Sequence, residues 1–302
     1  MSHGALFQEA ANTVYDVMGR HTGRFINNKD SVHCPLVFWL GFWTGILGRA
    51  PPQSSKMIPI RDDAPRYTTP WVNNFLLAIN IIVFLMMWLT DASSRQAFVN
   101  TFGFLPAKIS ALIEGAQYVR VPGGLVPVTL ESAFIPVFTS MFMHASWLHL
   151  AFNMWALWIY GDNLEDYLGH FRYLTFYLLC GVGAAALHTV LNWESTIPSV
   201  GASGAIAGVM GAYLLVYPHA SVTTLVPFFV FITFVRLPAW LVLGYWFVGQ
   251  FLSGAATSIV ATRQTTGGGG IAFWAHVGGF VAGMLLIKLL PARPRRFHFQ
   301  SW

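Results

Sequence analysis

Long apolar runs, rather than strict alternation or a narrow apolar stripe, dominate the chain beyond residue 70. Runs able to cross about 30 Å of hydrocarbon as helices cover Trp71 to Leu89, Phe134 to Tyr160, Tyr173 to Leu191, Pro238 to Val260 and Ile271 to Leu290. A sixth run, Ala202 to Tyr217, rises only about 24 Å as a helix. Pro218 closes it and a Gly/Ser-rich turn opens it, so its start is expected to lie submerged. Irregular backbone at that depth survives only where protein or a water-filled cavity surrounds it, and Pro198 to Gly201 is therefore expected to line an internal hollow. Pro35 to Leu47 and Thr224 to Val235 are too short to span and read as interfacial or re-entrant pieces. The predicted fold is all-α: a polytopic bundle of six transmembrane helices with a long first external loop, Thr90 to Ala133.

Composition sharpens this reading. The chain is 55% hydrophobic and 10% charged, where a soluble domain carries about 25% charged residues. With 25 Phe and 12 Trp it has more apolar surface than one soluble core hides, which excludes a water-soluble globular enzyme. The net charge of +5 comes from Lys and Arg scattered between apolar runs, an arrangement that argues against nucleic acid as a partner. Cys34 and Cys180 stand far apart in apolar surroundings and support neither a disulfide framework nor a zinc cage; no metal or cofactor is expected. The first residues, MSHGALFQEAANTVYDVM, lack a basic start followed by an apolar core, so no cleavable signal peptide is visible. Residues 1–56 differ in texture and end in a Pro/Ser-rich joint, APPQSSK. They read as an N-terminal extension, interfacial or upstream of a true start at Met57, ahead of a membrane domain over 57–302. Gly267 to Gly270 reads as a flexible loop before the last span.

Six spans put Lys56, Arg61, Arg66, Arg172, Arg236, Lys288, Arg293, Arg295 and Arg296 on one side and Arg95, Lys108, Arg120 and Arg263 on the other. The richer side is cytoplasmic by the positive-inside rule, with both termini there, in a multi-pass protein of a cell or inner membrane.

No Asp, Glu, Lys or Arg lies inside the spans away from their ends, which leaves His144, His149, His188 and His276 conspicuous. His188, near a span end with no polar companion in its helix, reads as a helix-to-helix hydrogen-bonding group. His149 and Asn153 stand four apart and share a helix face. Ser203 lies in GASG at the start of the short span, and His276 lies in AHVGG near the start of the last. The second, fourth and sixth spans run in the same direction, so these four polar groups meet at one depth. Gly204 and Gly208 follow the serine at a spacing of four, as Gly279 and Gly283 follow the histidine, giving two faces that allow close helix packing.

These motifs resemble the rhomboid family of intramembrane serine proteases. His144, His149 and Asn153 match its His/His/Asn pattern on the second core helix; Gly201, Ser203 and Gly204 match its Gly-x-Ser-Gly; Ala275, His276, Gly279 and Gly283 match its Ala-His-x-x-Gly-x-x-x-Gly. Glu165 falls where the family keeps a structural acid. The resemblance covers Met57 to about Pro291 and implies a Ser203–His276 dyad, with the oxyanion held by the Ser203 N–H, His149 and Asn153, and with His144 organising the first loop. With no Asp to orient the imidazole, packing is expected to fix the ring. The resemblance also implies single-span membrane proteins as substrates, cut after a small side chain within the lipid bilayer. Two positions depart from the pattern: Ala207 stands where some members carry a Tyr beneath the histidine, and Val119 precedes Arg120 where a Trp is often found. Alternatives are a catalytically silent rhomboid-like binder, which usually lacks the serine or histidine, and a transporter relaying protons through histidines, which tends to show repeated halves. HExxH is absent, as are two membrane-buried Asp residues, so zinc and aspartyl proteolysis fit worse.

Overall fold

The computed structural model describes residues 58–121, 124–228, 231–261, 271–290 and 292–293. The expectations for residues 1–56, for Met57 and for Gly267 to Gly270 lie outside them. Among the described residues the chain is mostly helical. The helices are α1 (Trp71–Trp88), α2 (Ala92–Phe102), α3 (Pro106–Glu114), α4 (Leu130–Thr139), α5 (Trp147–Leu168), α6 (His170–Leu191), α7 (Ser203–Val216), α8 (Ala239–Ala261) and α9 (Ile271–Leu289). The strands are β1 (Ile58–Asp62), β2 (Tyr118–Val121), β3 (Gly124–Pro127), β4 (Ser221–Phe228) and β5 (Phe231–Pro238). Three stretches, Trp71–Trp88, His170–Leu191 and Ala239–Ala256, are long and apolar enough to cross a membrane, and shorter apolar helices cover Leu130–Phe142, Ser203–Val216 and Phe273–Leu289.

Two expectations are corrected. The apolar run Phe134 to Tyr160 is not one helix. Pro136 lies inside α4, a 3-10 turn follows at Ser140–Phe142, and α5 begins afresh where Ser146 accepts the His149 N–H at 3.2 Å. Between α1 and α5 the chain forms α2, α3, the β2–β3 hairpin and α4. The piece Thr224 to Val235 belongs to an antiparallel sheet of order β1-β4-β5, with Asp62 opposite Val222 and Thr223 opposite both Arg61 and Arg236. Its Val, Thr, Ile and Phe residues suit a pleated sheet, which a short apolar run cannot reveal on its own. The architecture is thus helical with two small sheets rather than all-α.

Glu165 knits three helices at the end of α5. It is fully buried, and its carboxylate accepts the Val72 and Asn73 backbone N–H groups at 3.0 and 2.7 Å, capping α1 from a neighbouring helix where Pro70 provides no side-chain cap. His170 of α6 meets the same carboxylate at 2.5 Å through Nδ1. Asn73 then donates to Leu157 O at 3.1 Å and accepts from Tyr173 OH at 2.7 Å. Glu165→Ala is expected to lower stability by roughly 2–4 kcal/mol, because two helix-end donors lose a charged acceptor. Thermal unfolding in detergent checks this, with Glu165→Gln falling between the two.

The core holds large side chains such as Tyr160, Tyr173, Phe176, Tyr177 and Tyr213, but between α6, α7 and α9 it narrows to a seam of small residues. Helices α7 and α9 touch backbone to backbone. A Cβ on Gly279 would lie 1.9 Å from Gly204 O, and one on Gly283 would lie 2.0 Å from Gly208 O. Helix α6 closes the other flank, where a Cβ on Gly208 would meet Cys180 Sγ at 2.4 Å and one on Gly204 would meet Ala184 Cβ at 2.6 Å. Such contacts bring helices together in lipid, where hydrophobicity gives no preference for helix over solvent.

Candidate active site

Ser203 is the first residue of α7, directly after Ala202. The segment before it is irregular, and three of its backbone groups are paired with protein. Ser199 exchanges two backbone hydrogen bonds with Phe104, at 2.9 and 2.7 Å, and the Gly201 N–H donates to Ser140 O at 2.9 Å. Backbone of Phe104, between α2 and α3, and of the 3-10 turn thus borders Pro198 to Gly201, which stays partly exposed. Gly201 has φ +137, a conformation that disfavours any side chain, and a Cβ there would lie 2.7 Å from His149 Nε2 and 3.6 Å from Ser203 Oγ. Glycine at this position lets the imidazole of α5 and the serine hydroxyl border the same small space.

His276 lies in the second turn of α9 and is buried. Its Nε2 stands 2.7 Å from Ser203 Oγ, and its Nδ1 stands 2.7 Å from Oε1 of Gln250 on α8. The Trp246 ring centroid lies 5.8 Å from that of the imidazole. The glycine seam sets this spacing: Gly204 directly follows Ser203, Gly279 stands three residues after His276, and the two make the closest of the backbone contacts.

The other predicted residues divide. His149 and Asn153 lie in the first two turns of α5; Asn153 is buried, and its Nδ2 has no hydrogen-bond partner among the described residues. His144, in the break before α5, packs edge-on against His149 with ring centroids 5.0 Å apart. Glu165 stands about 24 Å further along α5 and does not share the site. His188 finds a polar companion after all, since Asn192, the residue capping α6, brings Nδ2 to 3.2 Å from its Nδ1. Ala207 is fully buried and has no ring to set beneath the imidazole. Among the described residues no three His, Cys, Asp or Glu side chains converge as a metal site. Gln250 is uncharged and so does not stand out among the ionisable groups of the spans. Its signal was a lone amide in the otherwise apolar middle of Pro238 to Val260.

A helical membrane protein with a serine hydroxyl and an imidazole in hydrogen-bond contact between two of its apolar helices is the class that fold and site define. The model of the Rhomboid domain matches residues 131–293, more than half of the chain, and the chain belongs to the rhomboid family. It is 32% identical over 147 residues to Rhomboid protease GluP of Bacillus subtilis, covering 49% of this chain and 25% of that protein. It is 35% identical over 153 residues to Rhomboid protease AarA of Providencia stuartii, covering 46% and 48%, and 29% identical over 154 residues to RHOMBOID-like protein 1 of Arabidopsis thaliana, covering 48% and 39%. The chain spans between a quarter and about half of the length of these relatives.

Proposed function

We propose that this protein is an intramembrane serine endopeptidase that hydrolyses peptide bonds in or near the transmembrane segments of membrane proteins, with Ser203 as nucleophile and His276 as base. The observation that carries this reading is the 2.7 Å contact between Ser203 Oγ and His276 Nε2. The imidazole takes the hydroxyl proton as Oγ attacks the carbonyl, then returns it to the departing amine. Water, deprotonated by the same nitrogen, resolves the acyl-enzyme. The oxyanion is received by the Ser203 N–H at the start of α7, where helix N–H groups have no internal partner, together with Asn153 Nδ2 and His149. Substrates are single-span proteins whose helix unwinds near its outer end and presents a small residue.

The bundle is read as six spans, α1, α5, α6, α7, α8 and α9, with both termini cytoplasmic. Cations support this orientation. Arg66 pairs with Asp162 at 2.9 Å, Arg61 and Arg236 flank Thr223 from the two outer strands of the β1-β4-β5 sheet, and the Arg293 N–H donates to Tyr167 O at 2.7 Å near the end of α5 far from His149.

The test is to reconstitute the purified full chain in liposomes with a labelled single-span substrate and, in parallel, to treat it with a fluorophosphonate probe. Cleavage and labelling of Ser203 support the reading; neither, across a panel of substrates, favours a silent binder. Asn153→Ala is expected to lower kcat about 10²-fold with little change in KM, at the low end for an oxyanion donor because two others remain. Initial rates across substrate concentrations check this.

A further inference from the structure

The reaction proposed above requires more of His276 than proximity. Its Nε2 must carry the lone pair when Ser203 gives up its proton, so the neutral ring must hold its hydrogen on Nδ1. A buried imidazole free to flip or exchange tautomers would present the wrong nitrogen, or a protonated one, for part of the time. Among the described residues no carboxylate contacts the ring to settle this, and α7, α8 and α9 carry no Asp or Glu. An amide does.

Gln250 is nearly fully buried in the middle of α8, and its Oε1 stands 2.7 Å from His276 Nδ1. With its oxygen toward the ring the amide can only accept, an arrangement that suits a hydrogen on Nδ1 and a lone pair on Nε2 facing Ser203. The two hydrogen bonds run in one direction, Ser203 Oγ–H to Nε2 and Nδ1–H to Gln250, and each strengthens the other. As the ring gains a proton, the same oxygen faces a full positive charge and its hydrogen bond becomes charge-assisted. A buried glutamine in an apolar helix is otherwise hard to account for, because an amide in lipid surroundings needs partners to offset its desolvation.

Trp246 stands one turn before Gln250 on α8 and approaches the same imidazole from its ring side, with centroids 5.8 Å apart and planes at 39°. Further along the interface Phe247 stacks on Phe280 at 4.4 Å and Phe251 meets Trp274 edge-on at 5.9 Å. Helix α8 is thereby keyed to α9 by aromatic rings on both sides of the amide. On α7, which carries the serine, the residue one turn after Ser203 is Ala207, which has neither a ring nor a polar group.

We propose that Gln250 is the positioning residue of the site, accepting the Nδ1 hydrogen of His276 so that a Ser203–His276–Gln250 relay, with Trp246 beside the ring, replaces the oriented carboxylate of a triad. The proposal rests on the protease reading for its kinetic part and is independent of it for its structural part. The imidazole is held from α8 and not from the helix that bears the nucleophile, so the base is correctly presented only while α8 is seated on α9.

The test uses the full chain in detergent or liposomes with Gln250→Met, which keeps the length and removes the acceptor, and Gln250→Glu, which keeps an acceptor oxygen. Ring nitrogen-15 spectra, with the His276 signals assigned by their loss in His276→Ala, are expected to show the Nδ1–H form in the wild type and a mixed population in Gln250→Met. Kinetically, Gln250→Met is expected to lower kcat about 10- to 100-fold with KM unchanged, and Gln250→Glu to recover most of that loss. Thermal unfolding confirms that both variants fold. The proposal is overturned if the His276 ring keeps the same tautomer in Gln250→Met, if kcat is unchanged in that variant, or if Gln250→Glu is as impaired as Gln250→Met. A wild type that neither cleaves nor reacts with a fluorophosphonate defeats the protease reading instead, and the nitrogen spectra still decide the hydrogen bond.

Discussion

Ser203→Ala and His276→Ala are each expected to lower cleavage by at least about 10⁴-fold, with the double variant no worse than either alone. The groups act as a unit. A hydroxyl without the imidazole stays protonated and weakly nucleophilic, and an imidazole without the hydroxyl has nothing to activate but water. Neither change removes bulk from the seam, because Ser203 and His276 meet through their polar ends at 2.7 Å while glycines carry the helix contact. Both variants should therefore unfold at nearly the wild-type temperature. Cleavage of a labelled single-span substrate and labelling by a fluorophosphonate read the result. Cleavage surviving in Ser203→Ala would remove the serine mechanism whatever the homology.

Gly279→Ala tests the other half of the design, the scaffold that sets the spacing. Its new Cβ would stand 1.9 Å from Gly204 O, where real contacts stop near 3.0 Å, so α7 and α9 must part by roughly 1 Å at the residue next to the nucleophile. Displacement on that scale costs about 10²-fold in rate, and more where it breaks the hydroxyl–imidazole contact. We expect a loss of 10²- to 10³-fold, with overpacking lowering stability by about 1–3 kcal/mol. Gly244→Ala is the control. Nothing lies within 4 Å of a Cβ built there, so it should match or slightly exceed the wild type in thermal stability and retain full activity. Equal activity of the two variants would mean that the seam does not govern the site.

How far these features were legible in the sequence depended on what hydropathy measures. Helices α1, α6, α7, α8 and α9 follow the apolar runs to within a few residues, because lipid-facing and core-facing positions are both apolar and the ends are marked by Pro70, Asn192, Gly201, Pro218 and Pro238. The break between α4 and α5 was hidden, since Met141, Phe142, Met143 and Ala145 are as apolar as a helix and the capping by Ser146 is a matter of geometry. The β4–β5 hairpin was hidden for a related reason: an apolar run of strand length carries no period that separates it from a dipping helix. Ser203, His149, Asn153 and His276 stood out as polar groups at a common depth. Gln250 did not, because a neutral amide looks unremarkable until the nitrogen it faces is known. The acid at Glu165 was noticed, but not its partner, since a carboxylate capping the helix of another segment leaves no local spacing to read.

The place where Gly204 and Gly279 touch also fastens the two helices beside the reacting atoms. It lies one residue from the hydroxyl and three from the imidazole, near one end of each helix. Gly208 and Gly283 touch again one turn further on, so the two helices are fastened at successive turns. A tilt imposed by a thinner or thicker bilayer would then move α7 and α9 as one body and carry the hydroxyl and the imidazole together.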